Sequence, residues 1–240
     1  VLIPMAISLV QYTTYKEYIN PSAVVVVQPN IDPYEKFGVI TPQEQLENLI
    51  KLSESVAKPN TEFFIWPETA ISNQRGIHEK EFRDYDAYAR ILLFLDNYHN
   101  GNVLSGIESY DLYNTQVSLT ARPFGDKFIE NYNAAVLIDD SSKLQFYHKS
   151  KLVPGVEQMP FGKALEFMKP LFAHFGGSTG GYGSDSIPTV FYSQSGIGIA
   201  PVICYESIWG DYVAQYVRDG AQLIAIVTND GWWKNTSGKD

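Results

Sequence analysis

GIGIAPVICYES, residues 196–207, decides the fold. Its first nine residues are a short apolar run of strand length. The stretch near 207–219, ended by Gly220, has the spacing of a short helix. A strand that passes directly into a helix is the unit of an α/β layer protein. Outward from it, TVFYS at 189–193 and AQLIAIVTND at 221–230 read as flanking strands.

Toward the N-terminus the same alternation continues. AVVVVQ at 23–28 is the first strand, and its unbroken valine run predicts cover on both faces. A helix follows, with Thr41 as cap, Pro42 at its first position, Glu44 closing a capping box, and Leu46, Leu49, Ile50, Val56 and Ala57 on one face. Lys58-Pro59-Asn60 breaks it, and EFFIWPE at 62–68 is a second strand that leaves Glu68 at its end. Phe82, Tyr85, Ala89, Leu92 and Leu93 give another helical face. Residues 102–109, 114–121, 133–139 and 143–149 read as successive strands, the last two joined by a hairpin turn at 139–142 that places Lys149 at a strand end.

Residues 150–187 differ in character. The apolar piece carrying Phe161, Phe167, Met168, Leu171, Phe172 and Phe175 is either a packed core helix or a lid, and the glycines after it mark a mobile loop. The opening VLIPMAISLV is shorter than the about 20 apolar residues needed to span a bilayer. It is either the start of a buried element or the end of a transmembrane helix. The polar GWWKNTSGKD suggests that the last part of the domain is missing.

Eighteen basic against 27 acidic residues, a formal charge of −9, argue against a nucleic-acid partner, whose phosphates call for clustered Lys and Arg. One cysteine excludes an internal disulfide framework. The four histidines show no metal-ligand spacing, so no metal or other cofactor is expected.

Chemistry then rests on three residues. Cys204 sits on the strand-to-helix turn, where exposed helix amides are expected to lower its thiol pKa and to supply oxyanion donors. Taken alone, a lone cysteine in an apolar run is an ordinary buried residue. Glu68, after Trp66-Pro67, is placed to act as a general base, and Lys149 as a fixed cation beside the sulfur. Each has a plain surface reading by itself.

The segments FFIWPE, YNAAVLIDDSSKLQFYHKSKLVP, PVICYES and IVTNDGWW, in that order, resemble the nitrilase (carbon–nitrogen hydrolase) superfamily. That resemblance implies an α-β-β-α sandwich and a Glu–Lys–Cys triad matching Glu68, Lys149 and Cys204. QPNIDPYEKF, the LVP run with Glu157 beyond Lys149, CYES and TNDGWW more narrowly resemble the apolipoprotein N-acyltransferase family. Two departures stand out: LVPGVE where many members have LVPFGE, and Phe37 where the family often has Trp.

By that resemblance, residues 1–20 are the end of a transmembrane helix and a linker, and 21–240 a catalytic domain lacking its C-terminal part. The resemblance also implies that the domain sits on the periplasmic face of a bacterial inner membrane, with a phospholipid as acyl donor and a lipoprotein as acceptor. Tyr205 supplies an oxyanion amide, and Glu157 and Glu206 orient the lysine and the acceptor amine. Phe37, Phe161 and Trp232 line the substrate site, although Trp232 and Trp233 could equally be packing residues. A soluble amidase using the same triad, or a silent binding domain, are the competing readings.

Overall fold

The computed structural model describes residues 2–16, 21–32, 40–73, 75–141, 143–158 and 181–233. Helix α1 (Leu2–Thr14) has no buried residue. Among the described residues no helix is long and apolar enough to cross a membrane.

The remaining elements form two packed sheets between helices. The larger sheet runs β1 (Ala23–Val26), β2 (Thr61–Ile65), β4 (Asn102–Tyr113), β6 (Lys127–Ile138) and β5 (Arg122–Phe124). The short β3 (Ile77–His78) joins β4, and β7 (Gln145–His148) joins the far end of β6. The first three strands are parallel, while β4, β6 and β7 are antiparallel neighbours. The smaller sheet is β10 (Leu223–Val227), β9 (Gly198–Ile203) and β8 (Phe191–Tyr192).

Two cores follow from the period-2 alternation of the strands. On one face of the large sheet, Val25, Phe64, Trp66 and Val103 pack against α2 (Pro42–Glu54) and α3 (Asp86–Leu95). On the other, Phe63, Ile65, Leu104 and Leu137 cluster with Ile199 and Val202 of the small sheet and with Tyr212 and Tyr216 of α4 (Gly210–Arg218). The layers are helix, sheet, sheet, helix.

Helix α2 starts as its sequence dictates. Thr41 Oγ1 accepts from the Glu44 amide at 3.2 Å, and Glu44 Oε2 accepts from the Thr41 amide at 2.9 Å. Four expectations need correction. Val24 and Val26 are exposed because successive side chains point to opposite faces and only Val25 and Val27 turn into the buried cluster. Val56 is exposed because α2 ends at Glu54. A 3-10 turn at Glu79–Asp84 breaks the helical phase ahead of α3, which therefore buries Tyr88, Ile91, Phe94 and Leu95 instead of Ala89 and Leu93. Residues 114–121 are not a strand: Ser118 Oγ accepts from the amides of Thr120 and Ala121 and donates to Glu130, a local pattern that competes with sheet pairing.

Candidate active site

Glu68, Lys149 and Cys204 leave three strand ends at the same edge of the sandwich. Glu68 lies just past β2, in a segment that crosses β4 at Gly106. A Cβ on Gly106 would lie 2.5 Å from Glu68 Cα and 2.6 Å from the Thr69 nitrogen, so only glycine permits this crossing. The Gly106 amide donates to the Pro67 carbonyl at 3.1 Å and its own carbonyl accepts from Ile71, which fixes the segment on both sides.

Lys149 follows β7, its amide donating to the Asn133 carbonyl at 2.9 Å. Its side chain is 1% exposed, and Nζ donates to Glu157 Oε1 at 2.9 Å and to Glu68 Oε1 at 3.4 Å. Burial works against the charged ammonium, but Glu68 and Glu157 outweigh it and hold Lys149 above its ordinary pKa. Glu157 Oε2 accepts from the Val153 amide at 2.8 Å, which orients it toward the lysine.

Asn133 of β6 completes this cluster. Its Nδ2 donates to Glu68 Oε1 at 2.8 Å and to Glu157 Oε1 at 2.7 Å. The sequence reading missed it, though a polar residue opening the buried run NAAVLI was a usable signal. Thr228, just past β10, is a second omission: its hydroxyl works to lower the Cys204 thiol.

Cys204 directly follows β9 and has a φ of 46°, a left-handed backbone that a non-glycine residue rarely adopts. A 3-10 turn, Cys204–Ile208, starts at it. In that first turn the Tyr205 amide has no intrahelical acceptor, so it is a candidate oxyanion donor. The thiol does not behave as its position on the turn predicts. Burial pushes it up to about 11, the Glu68 charge adds to the rise, and Lys149 and Thr228 only partly reverse it. At neutral pH Cys204 is therefore held as a neutral thiol by burial beside a carboxylate.

Glu206 is fully buried and accepts from Tyr147 Oη (2.5 Å) and from the amides of Ser150 (2.7 Å), Lys151 (3.3 Å) and Ile203 (2.9 Å). It ties the turn after Lys149 to the strand that carries Cys204. The Tyr205 ring stands edge-on to Trp209, with centroids 6.2 Å apart. Phe37 and Phe161 lie outside the described residues. Trp232 lies in the 3-10 turn Asp230–Trp233, with its side chain also outside them.

A cavity of about 240 Å³ opens beside Glu68 and Thr228, with Val26, Ile65 and Ile226 among its walls. Among the described residues no group of three or more His, Cys, Asp or Glu could hold a metal ion.

The carbon–nitrogen hydrolase family profile matches residues 23–240. The chain is 33% identical over 222 residues to the apolipoprotein N-acyltransferase of Chlorobaculum tepidum, covering 90% of this chain and 40% of that relative. It is 32% identical over 216 residues to the apolipoprotein N-acyltransferase of Rickettsia typhi, covering 90% and 38%. The chain thus spans about two fifths of the length of these curated relatives. Among solved structures, the NitN amidase from Nesterenkonia sp. AN1 superposes with a TM-score of 0.50 at 16% identity, over 87% of this chain and 67% of that one, a likeness of fold. The sandwich and the profile match together place the chain in the carbon–nitrogen hydrolase family.

Proposed function

We propose that this domain transfers an acyl chain from a phospholipid to the N-terminal amine of S-diacylglyceryl-cysteine lipoproteins, with Cys204 carrying the chain as a thioester. The observation that supports it best is the left-handed Cys204 just past β9, its thiol in the combined field of Glu68 and Lys149. The relatives named apolipoprotein N-acyltransferase favour this chemistry over amide hydrolysis. The apolar walls beside Glu68 suit an alkyl chain.

In the first half-reaction the neutral thiol needs a base. Glu68 takes its proton as the sulfur attacks the ester carbonyl. Lys149 Nζ and the Tyr205 amide hold the developing oxyanion, each such donor contributing about 3 kcal/mol in comparable sites. Collapse breaks the ester C–O bond. The lysophospholipid alkoxide leaves with the proton from Glu68, and the acyl group stays on sulfur.

In the second half-reaction the lipoprotein amine attacks the thioester carbonyl and gives a proton to Glu68. The C–S bond breaks, and the thiolate recovers that proton. Amines outcompete water only where water is excluded, a role proposed for the apolar segment containing Phe161. Phe37 and Trp232 are proposed to contact substrate. Residues 1–20 are proposed as the end of a membrane helix that holds the domain on the periplasmic face of the inner membrane.

The test is to incubate the full-length protein with phospholipid labelled in its acyl chain and to isolate the adduct. The expected result is a hydroxylamine-sensitive label on Cys204 that a lipoprotein amine discharges and that Cys204→Ala abolishes. Turnover of small amides without any label from phospholipid would identify an amidase instead.

A further inference from the structure

His148 immediately precedes Lys149, and each of its ring nitrogens faces a carboxylate. Nε2 lies 2.8 Å from Glu79 Oε1, in the 3-10 turn after β3, and Nδ1 lies 3.1 Å from Asp185 Oδ1. The His148 amide also donates to Asp185 Oδ2 at 3.0 Å. An ionised carboxylate only accepts, so both ring nitrogens must carry hydrogen, and that is the imidazolium. The ring lies flat on Tyr132 of β6, with centroids 3.7 Å apart at 13°.

Asp185 belongs to the segment 181–185, which crosses β6 beside the active site. The Gly183 amide donates to the Asn131 carbonyl at 2.8 Å, and a Cβ there would lie 2.5 Å from Tyr132. The Tyr182 amide donates to the Glu157 carbonyl at 3.1 Å, and the Tyr182 hydroxyl points to Glu108. One end of this strap therefore touches the residue that holds Lys149, and the other end is held by His148.

We infer that His148 is a positioning residue: as an imidazolium clasped between Glu79 and Asp185, it holds the 181–185 strap down and so keeps Glu157 seated against Lys149. The effect on catalysis rests on the Glu68–Lys149–Cys204 site proposed above, whereas the clasp itself does not.

The sign of the pH effect follows from the groups around the ring. Burial alone would strip the proton, but Asp185 and Glu79 outweigh it and raise the imidazole to about 9. The other polar neighbours are Ser109 of β4, which donates to Glu79, Tyr132 of β6 and, through it, Tyr113 of β4. The one further cation that bears on Glu79 is Lys80, which is itself paired with Asp111 at 2.7 Å. The folded value lies above the ordinary one, so the clasp is fully formed below the ordinary histidine pKa and is lost as pH rises through about 9.

Hydrogen exchange of the intact protein, read by mass spectrometry on peptides covering 181–187 and corrected for intrinsic rate, tests this from pH 7 to 10. Wild-type protection is expected to fall with a midpoint near 9. In Asp185→Asn or Glu79→Gln, each short of one carboxylate, the midpoint should move down by about 1 unit. In His148→Gln protection should be low at every pH. The alkaline limb of acyl transfer in the full-length enzyme should shift with the same midpoint, which a merely structural histidine would not cause. Strap protection that is unchanged in His148→Gln, or a midpoint unmoved in Asp185→Asn, would overturn the clasp. If His148→Gln fails to fold, the two single-carboxylate variants still decide. Strap opening near pH 9 with no transfer from phospholipid would keep the clasp and refute the acyltransferase reading.

Discussion

Lys149 gives its short hydrogen bond to Glu157, at 2.9 Å, and only a long one, 3.4 Å, to Glu68. The two carboxylates thereby divide their work. Glu157 anchors the ammonium, and in the proposed mechanism Glu68, which also accepts from Asn133 Nδ2, is left to take the thiol proton. Replacing Glu157 by Gln removes the anchoring charge, and the lysine is then expected to close on Glu68 and occupy the base. The predicted outcome is a loss of acyl transfer on the order of 100-fold, at the low end of what a general base contributes. Single-turnover thioester formation measures it, with thermal unfolding as the control for folding.

Gly106 makes a prediction of a different kind, because it touches no substrate. Its missing side chain is the space through which the Pro67–Thr69 backbone passes, at 2.5–2.7 Å from where a Cβ would be. The atoms in the way are backbone and cannot rotate aside. Gly106→Ala should push Glu68 off Lys149 and Asn133, cost about 1–3 kcal/mol of stability, and reduce thioester formation well beyond what that loss explains. Denaturant unfolding together with the single-turnover assay separates the two effects. Full activity in the variant would mean that the segment has another path.

The thiol value predicts how Cys204 reacts with small electrophiles. With the group raised to about 11, the rate of iodoacetamide alkylation at Cys204 should climb through the neutral range without a plateau and level off only near that pH. Glu68 pushes the thiol up and Lys149 pulls it down. Glu68→Gln should therefore lower the midpoint, and Lys149→Met should raise it. Mass spectrometry of the Cys204 peptide over a pH series measures all three. A plateau below pH 8 would indicate a resting thiolate and a base with no work to do.

Much of this was legible in the sequence where one short-range rule decides the outcome. The capping box of Thr41 and Glu44 and the turn between β6 and β7 needed nothing from the rest of the chain. The reading failed where tertiary context chose. A valine run does not reveal that only one face of β1 is covered, and NTQVSLTA alternates like a strand although Ser118 and Thr120 turn to Glu130. At the site, the strand ends of Glu68, Lys149 and Cys204 could be read from local pattern, but the direction of the thiol shift could not. That depends on burial and on the through-space charge of Glu68, 136 residues away in the chain. Asn133 was hidden for the same reason: its importance lies in two partners, one 65 and the other 24 residues distant.

Glu206 carries the last prediction, and the distinction between holding a site together and acting in it. Every hydrogen-bond partner named for it above is a donor: three backbone amides and the Tyr147 hydroxyl. A carboxylate accepts all of them, whereas a glutamine must turn an NH₂ toward at least one N–H. Glu206→Gln is therefore expected to cost about 2 kcal/mol. In a chain of this size that is a fall of roughly 4–8 °C in Tm. Because the amides belong to Ser150 and Lys151 on one side and Ile203 on the other, the same change loosens the spacing between Lys149 and Cys204. Thioester formation should drop while the alkylation midpoint of Cys204 moves little, since the charges of Glu68 and Lys149 remain. A midpoint that moves as far as in Glu68→Gln would show instead that Glu206 acts on the sulfur through its charge.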